Sequence, residues 1–122
     1  MMDKPHKRLV AWQKSMDLVV VVYDLTKSFP AEEKFGLVSQ MCRAAVSAPS
    51  NISEGAADRS YQQFVNFLSI PIGSLNELST QLEISLRIGY ISKIDYNKAQ
   101  DLIDESLKTT FGLKRSIEQK II

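Results

Sequence analysis

The 122 residues predict an all-α fold: an up-down-up-down four-helix bundle with kinked second and third helices. Three observations carry that prediction. Apolar residues recur at steps of three and four over four long stretches. Short links containing Pro, Gly and Ser separate those stretches. Two prolines, Pro49 and Pro71, fall inside the helical patterns, where each removes a backbone donor and bends the helix.

The chain reads as one domain over residues 1–122, long enough for a single core. Its 44% hydrophobic and 24% charged content is ordinary for a globular protein. A net charge of +1 gives no bulk attraction to nucleic acid or to an acidic membrane. A single cysteine, Cys42, cannot form an internal disulfide, and its place on an apolar stripe reads as a small buried hydrophobe. A reducing cytoplasm fits. The valine run 18–22 lies between Asp17 and Asp24, too short for a signal core or a membrane span.

Residues 1–8 form a polar, basic lead-in with Lys4, His6, Lys7 and Arg8, read as flexible. Helix 1 is expected from about Leu9 to Lys27, with Leu9, Trp12, Met16, Val19, Val20 and Tyr23 as its core stripe. The valines argue locally for a strand, but the helical spacing continues on both sides of them. Pro30 disfavours helical geometry at Phe29 and ends the element. Helix 2 is expected from Ala31 or Glu32 to Glu54, with Glu32 and Glu33 at its positive end and Gly55 as its C-terminal cap. Val38, Met41, Cys42, Ala45, Ala48 or Pro49, and Ile52 form its apolar stripe.

Ser60-x-x-Gln63 has the spacing of a capping box and opens helix 3, which runs from about Tyr61 to Ile88 and stops at Gly89. Its stripe is Phe64, Phe67 or Leu68, Pro71, Leu75, Leu78, Leu82 and Leu86, and Gly73 and Ser74 allow close helix approach. Paired as a hairpin, helices 2 and 3 bring Pro49 and Pro71 to within about 10 Å of the same level. Ser92 with Asp95 caps helix 4, which runs to about Lys120. Its stripe is Tyr96, Ala99, Ile103, Ser106 or Leu107, Thr110, Leu113, Ile117 and Ile121, and its late cations suit the helix dipole. Apolar residues beyond these stripes, among them Val46, Ile70, Ile84 and Phe111, suggest a second buried side and self-association.

Helix 2 also carries a polar stripe: Gln40, Arg43, Ser47, Asn51 and Glu54. It reads either as a solvated face or as a polar seam packed on a neighbouring helix or subunit, with Ser74 and Glu77 from helix 3. In the packed reading Arg43 pairs with Glu77 or Glu54, and Arg43→Ala strands a carboxylate at a cost of about 3 kcal/mol. Nothing points to catalysis. The sequence holds no phosphate loop, no His-Glu-x-x-His and no Cys/His cluster. His6 is the sole histidine and falls in the lead-in, where it reads as a solvated residue. Glu54 and Glu77 lack the further ligands that a di-iron bundle requires, so no metal and no cofactor is expected. The bundle topology gathers Lys4, Lys7, Arg8, Lys114, Arg115 and Lys120 at one end, with Arg59 from the turn between helices 2 and 3 nearby. These make a candidate nucleic-acid rim.

The pattern Phe35-Gly-Leu-Val-Ser-Gln40, Arg43-Ala-Ala-Val-Ser47, Pro49-x-Asn51-Ile-x-Glu54-Gly55, then Phe67-Leu and Gly73-Ser-Leu-x-Glu77-Leu, resembles a family of small bacterial four-helix-bundle proteins. They are called 23S rRNA intervening-sequence proteins, because some are encoded inside insertions in that rRNA gene. A relative is the accessory variability determinant of diversity-generating retroelements. The resemblance covers nearly the whole chain, including Trp12, Tyr23 and Leu86-x-x-Gly89-Tyr90. It implies a barrel-like homopentamer and, in the retroelement branch, binding to a reverse transcriptase and nucleic acid. Two departures stand out. Pro71 replaces the usual Ala, and the near-neutral charge contrasts with the basic retroelement branch. Together these readings point to a non-enzymatic, cytoplasmic, oligomeric binding or scaffold module with a protein or ribonucleoprotein partner. The alternative is a direct, sequence-nonspecific RNA or DNA binder.

Overall fold

In the computed structural model, which describes residues 4–58 and 60–121, the chain is all-helical. Four long helices follow one another: α1 (Val10–Thr26), α2 (Leu37–Ala57), α3 (Tyr61–Arg87) and α4 (Lys93–Glu118). Short 3-10 turns precede α1 at Pro5–Arg8 and precede α2 at Ala31–Glu33. Sequence neighbours pack together and α1 closes against α4, which is the up-down-up-down bundle. No described helix is long and apolar enough to cross a membrane.

The caps follow local chemistry. Ser60 Oγ accepts from the Gln63 N–H at 3.3 Å, and Ser92 Oγ accepts from the Asp95 N–H at 3.1 Å. The end of α3 is a Schellman motif. Gly89 sits at φ +84, the Tyr90 N–H donates to Ser85 O at 2.9 Å, and the Gly89 N–H donates to Leu86 O at 3.1 Å.

Helix α2 differs from expectation at both ends. It begins at Leu37 rather than Ala31, because the backbone breaks at Gly36 (φ −108, ψ −111). Glu33 nonetheless faces the positive end, its Oε1 accepting from the Leu37 N–H at 3.4 Å. At the far end, Gly55 is not a cap. It is buried within the helix, which continues to Ala57. A Cβ there would lie 2.9 Å from Phe64 Cδ1 and 3.0 Å from Phe67 Cβ. Glycine at this position lets α2 and α3 come close. Gly73, by contrast, is exposed with open space around it and plays no part in that approach.

The α2–α3 register is set by Ser74 Oγ donating to Ser47 Oγ at 2.9 Å. Pro49 lies two residues beyond Ser47, and Pro71 lies three residues before Ser74 on the antiparallel partner. The two prolines therefore stand level to about 1.5 Å. Both are buried inside unbroken helices, and each leaves a carbonyl, of Ala45 or Phe67, without its helical donor.

The core has two parts. The larger gathers Leu18, Val22, Met41, Leu75, Leu82 and Ile103 with the alanines of α2. The smaller, toward the start of α1, holds Ala11, Ile52, Phe64, Leu68 and Ile117. The expected stripes of α2, α3 and α4 supply the residues of those helices apart from Ala44, while Ile121 of the α4 stripe is exposed. Helix α1 takes only half-buried flanking residues from its expected stripe, Leu9, Trp12 and Val19. Its buried face is Ala11, Ser15, Leu18, Val22 and Thr26, whereas Met16, Val20 and Tyr23 are exposed. The reason is size and self-satisfaction. Ala11 and Ser15 let α1 lie close to its neighbours. Ser15 Oγ donates to Trp12 O at 2.9 Å and Thr26 Oγ1 to Val22 O at 2.9 Å, so neither hydroxyl is buried without a partner.

Candidate functional site

The polar seam lies along the outer α2–α3 groove, and its members separate into two groups. Ser47, Asn51 and Ser74 are half-buried and bonded together. Asn51 Nδ2 donates to Ser47 O at 2.8 Å and to Ser47 Oγ at 3.2 Å, and Ser47 Oγ accepts from Ser74. Gln40, Arg43, Glu54 and Glu77 are exposed. The expected intrachain ion pair is not formed: among the described residues, Arg43 bonds neither Glu54 nor Glu77. Register explains half of this. Glu54 lies eleven residues along the same helix from Arg43, about 16 Å away. Glu77 stands level with Arg43 to within one residue, but both side chains extend into water, where pairing gains little. Glu54 and Glu77 are offset by about ten residues, or 15 Å, too far to share a metal ion. No cluster of described His, Cys, Asp or Glu residues is arranged to hold one.

Gln81, one turn beyond Glu77, is a seam residue that stripe analysis overlooked. It is buried at 5% exposure, donates through Nε2 to Glu77 Oε1 at 3.1 Å, and leaves its Oε1 without a partner among the described residues. A glutamine amid leucines reads as a break in the stripe, so only its pairing with Glu77 reveals it.

The cations expected at one end do gather there. Lys4, Lys7, Arg8, Arg115 and Lys120 are exposed and Lys114 is half-buried. Lys120 Nζ lies 5.6 Å from the Tyr61 ring at the start of α3, an exposed contact between the two helix ends. Arg59 lies outside the described residues. Glu54, Asp58 and Glu118 share this end and are exposed. The lead-in is not wholly solvated: His6 is half-buried and meets the Trp12 ring edge-on at 5.0 Å.

At the opposite end, Tyr90 OH donates to Glu33 Oε2 at 2.8 Å and Phe29 packs on the Tyr90 ring at 5.2 Å. The Glu33 bond raises the Tyr90 pKa above its ordinary value, because ionising the phenol would forfeit it. Between α3 and α4, Tyr96 OH donates to Glu83 Oε1 at 2.8 Å and Arg87 Nε to Glu83 Oε2 at 3.0 Å. These donors hold the Glu83 carboxyl below the usual carboxylate range, the tyrosine contributing most.

The most extensive uncommitted surface is apolar. The outer face of α1 exposes Met16, Val20 and Tyr23, with Val20 at 68%. Beside it α2 exposes Val46, and on the diagonal helix α3 Ile70 and Ile84 are exposed separately. A surface of this kind on a four-helix chain marks an interaction site.

Residues 7–112 match the family described as 23S rRNA-intervening sequence protein. The chain belongs to that family. Its fold is that of a crystal structure of a protein with unknown function from the S23 ribosomal protein family of Bacteroides thetaiotaomicron VPI-5482. The two share 28% sequence identity and a TM-score of 0.80, over 87% of this chain and 96% of that one. No curated protein matches the chain. In this 23S rRNA-intervening sequence protein, the motif that runs from Phe35 to Gly55 supplies the α2 side of the seam, the proline level and the close α2–α3 contact.

Proposed function

We propose that this protein is a non-enzymatic, self-associating scaffold of the cytoplasm that presents a binding surface to a protein or ribonucleoprotein. The observation that carries the reading is the second apolar face of α1, Met16, Val20 and Tyr23, left in water while the opposite face of the same helix fills the core. A helix that is apolar on two sides is suited to be covered twice. The family supports a closed homopentamer, and the S23 ribosomal name of the structural neighbour supports a ribonucleoprotein partner. Arg43, exposed on the seam and in no ion pair with Glu54 or Glu77, is placed to find a charge on another copy. Light scattering after size exclusion tests this reading. It expects a multiple of the 13.7 kDa chain, and a monomeric mass at micromolar concentration overturns it.

The basic end supports a second reading, direct and sequence-nonspecific RNA or DNA binding, since a ring would repeat Lys4, Lys7, Arg8 and Arg115 around one rim and multiply a weak affinity. A mobility shift with structured RNA that weakens steeply with salt favours it.

A further inference from the structure

Phe35 is 89% exposed, the highest value of any large apolar side chain among the described residues. Its backbone is nevertheless held firmly. Glu33 ties the segment together: its Oε2 accepts from Tyr90 OH at 2.8 Å, its Oε1 from the Leu37 N–H at 3.4 Å, and its carbonyl from the Gly36 N–H at 3.0 Å. Lys34 leans over the aromatic ring, with Nζ 5.5 Å from the centroid. An exposed phenylalanine on a fixed support is preorganised to insert into something.

At the same end of the bundle, α1 and α4 border an open hollow of about 790 Å³. Val20, Val21, Leu25 and Leu102 give it apolar lining, and Asp24, Lys27, Asp95 and Lys98 line it as well. None of these four charges is in an ion pair among the described residues.

We infer that Phe35 of one copy fills the α1–α4 hollow of a second copy. The inference rests on the self-association proposed above and names the contact that produces it. Level decides the match. Rotation about an axis along the bundle carries each residue to a neighbour at the same height, so a projection and a hollow at one end meet. The groove lined by Trp12, Met16 and Ser53 lies farther toward the other end and does not meet Phe35. Charge agrees as well: Phe35 is flanked by exposed Lys34 and Glu32, and the hollow offers Asp24 and Asp95 to the one and Lys27 and Lys98 to the other. The hollow is larger than one ring, so the Lys34 stem enters with it. Projection and hollow are different surfaces, and repeating such a contact by a pure rotation that divides a full turn closes into a ring.

The test places photoreactive benzoyl-phenylalanine at position 35 in an equal mixture of isotopically heavy and ordinary chains. Irradiation is expected to join position 35 of one isotope to residues 19–27 or 95–102 of the other. In parallel, Phe35→Asp is expected to reduce the mass to 13.7 kDa with the helical circular dichroism unchanged, since the residue is outside the core. A wild-type multimer whose crosslinks fall elsewhere, or a Phe35→Asp protein that keeps its mass, overturns this contact and leaves self-association standing. A monomeric wild type removes both.

Discussion

The Cβ that Gly55 lacks would stand 2.9 Å from Phe64 Cδ1. One hydrogen atom on α2 thus fixes how closely α3 can pack. The second neighbour, Phe67 Cβ at 3.0 Å, is anchored to the backbone and cannot rotate away. Gly55→Ala is expected to destabilise by about 1–3 kcal/mol despite the better helix propensity of alanine. Urea unfolding measures it, and Phe64→Leu in the same chain should recover only part of the loss.

Gly73→Ala is the control with the opposite sign. Its added methyl meets open space, so helix propensity alone should stabilise the isolated chain by about 0.5–1 kcal/mol. If the outer face of α3 is covered in an assembly, the same substitution lowers the mass seen by light scattering while raising the melting temperature.

Arg43→Ala should change the stability of the isolated chain by less than about 0.5 kcal/mol, because the side chain is exposed and strands no buried carboxylate. This revises the larger cost that a buried pair implies. A drop in mass at unchanged helicity would place Arg43 between copies.

Tyr90→Phe removes the Glu33 bond and should lower stability at neutral pH. The Tyr90 pKa is raised in the folded state, so its contribution is full below the ordinary tyrosine range and fades as pH rises through the folded value. Tyrosinate absorbance, wild type minus Tyr90→Phe, should show one phenol titrating late, and Glu33→Gln should return it toward the ordinary range.

Glu83 behaves oppositely. Its folded pKa is lowered by Tyr96 and Arg87, so its contribution is full above the ordinary carboxylate range and is lost as pH falls through the folded value. Tyr96→Phe should raise the Glu83 pKa in a carbon-detected titration, and its stability deficit should shrink in acid.

Most of the fold was legible because periodicity, caps and stops agree in α3 and α4, and periodicity alone carries α2. Ser60, Ser92 and Gly89 do what their spacing says. The face of α1 was illegible for a physical reason. Hydrophobicity ranks Met16, Val20 and Tyr23 above Ala11, Ser15 and Thr26, yet a close helix crossing favours small side chains and hydroxyls that bond their own helix. Gly55 was misread likewise, since a glycine near a helix end suits a cap and a close contact equally well. Of the candidate seam, the Ser47–Asn51–Ser74 part could be inferred from spacing. The state of Arg43 could not, because it depends on register and on solvent. Phe35 was visible only as part of a motif, and its exposure emerges from the turn that Glu33 holds.

Glu33 has one more consequence. By bonding Tyr90 it joins the α1–α2 link to the α3–α4 link, over the larger core cluster. The far end, where α1 starts and α4 finishes, rests on the smaller cluster. Among the described residues, the hydrogen bond that joins two interhelix links is at this end, while the far end shows the exposed Lys120–Tyr61 contact, so the bundle should come apart directionally. Amide hydrogen exchange should register this as a gradient along every helix, with Val22, Met41, Leu82 and Ile103 exchanging last, and Ile52, Phe64 and Ile117 opening first.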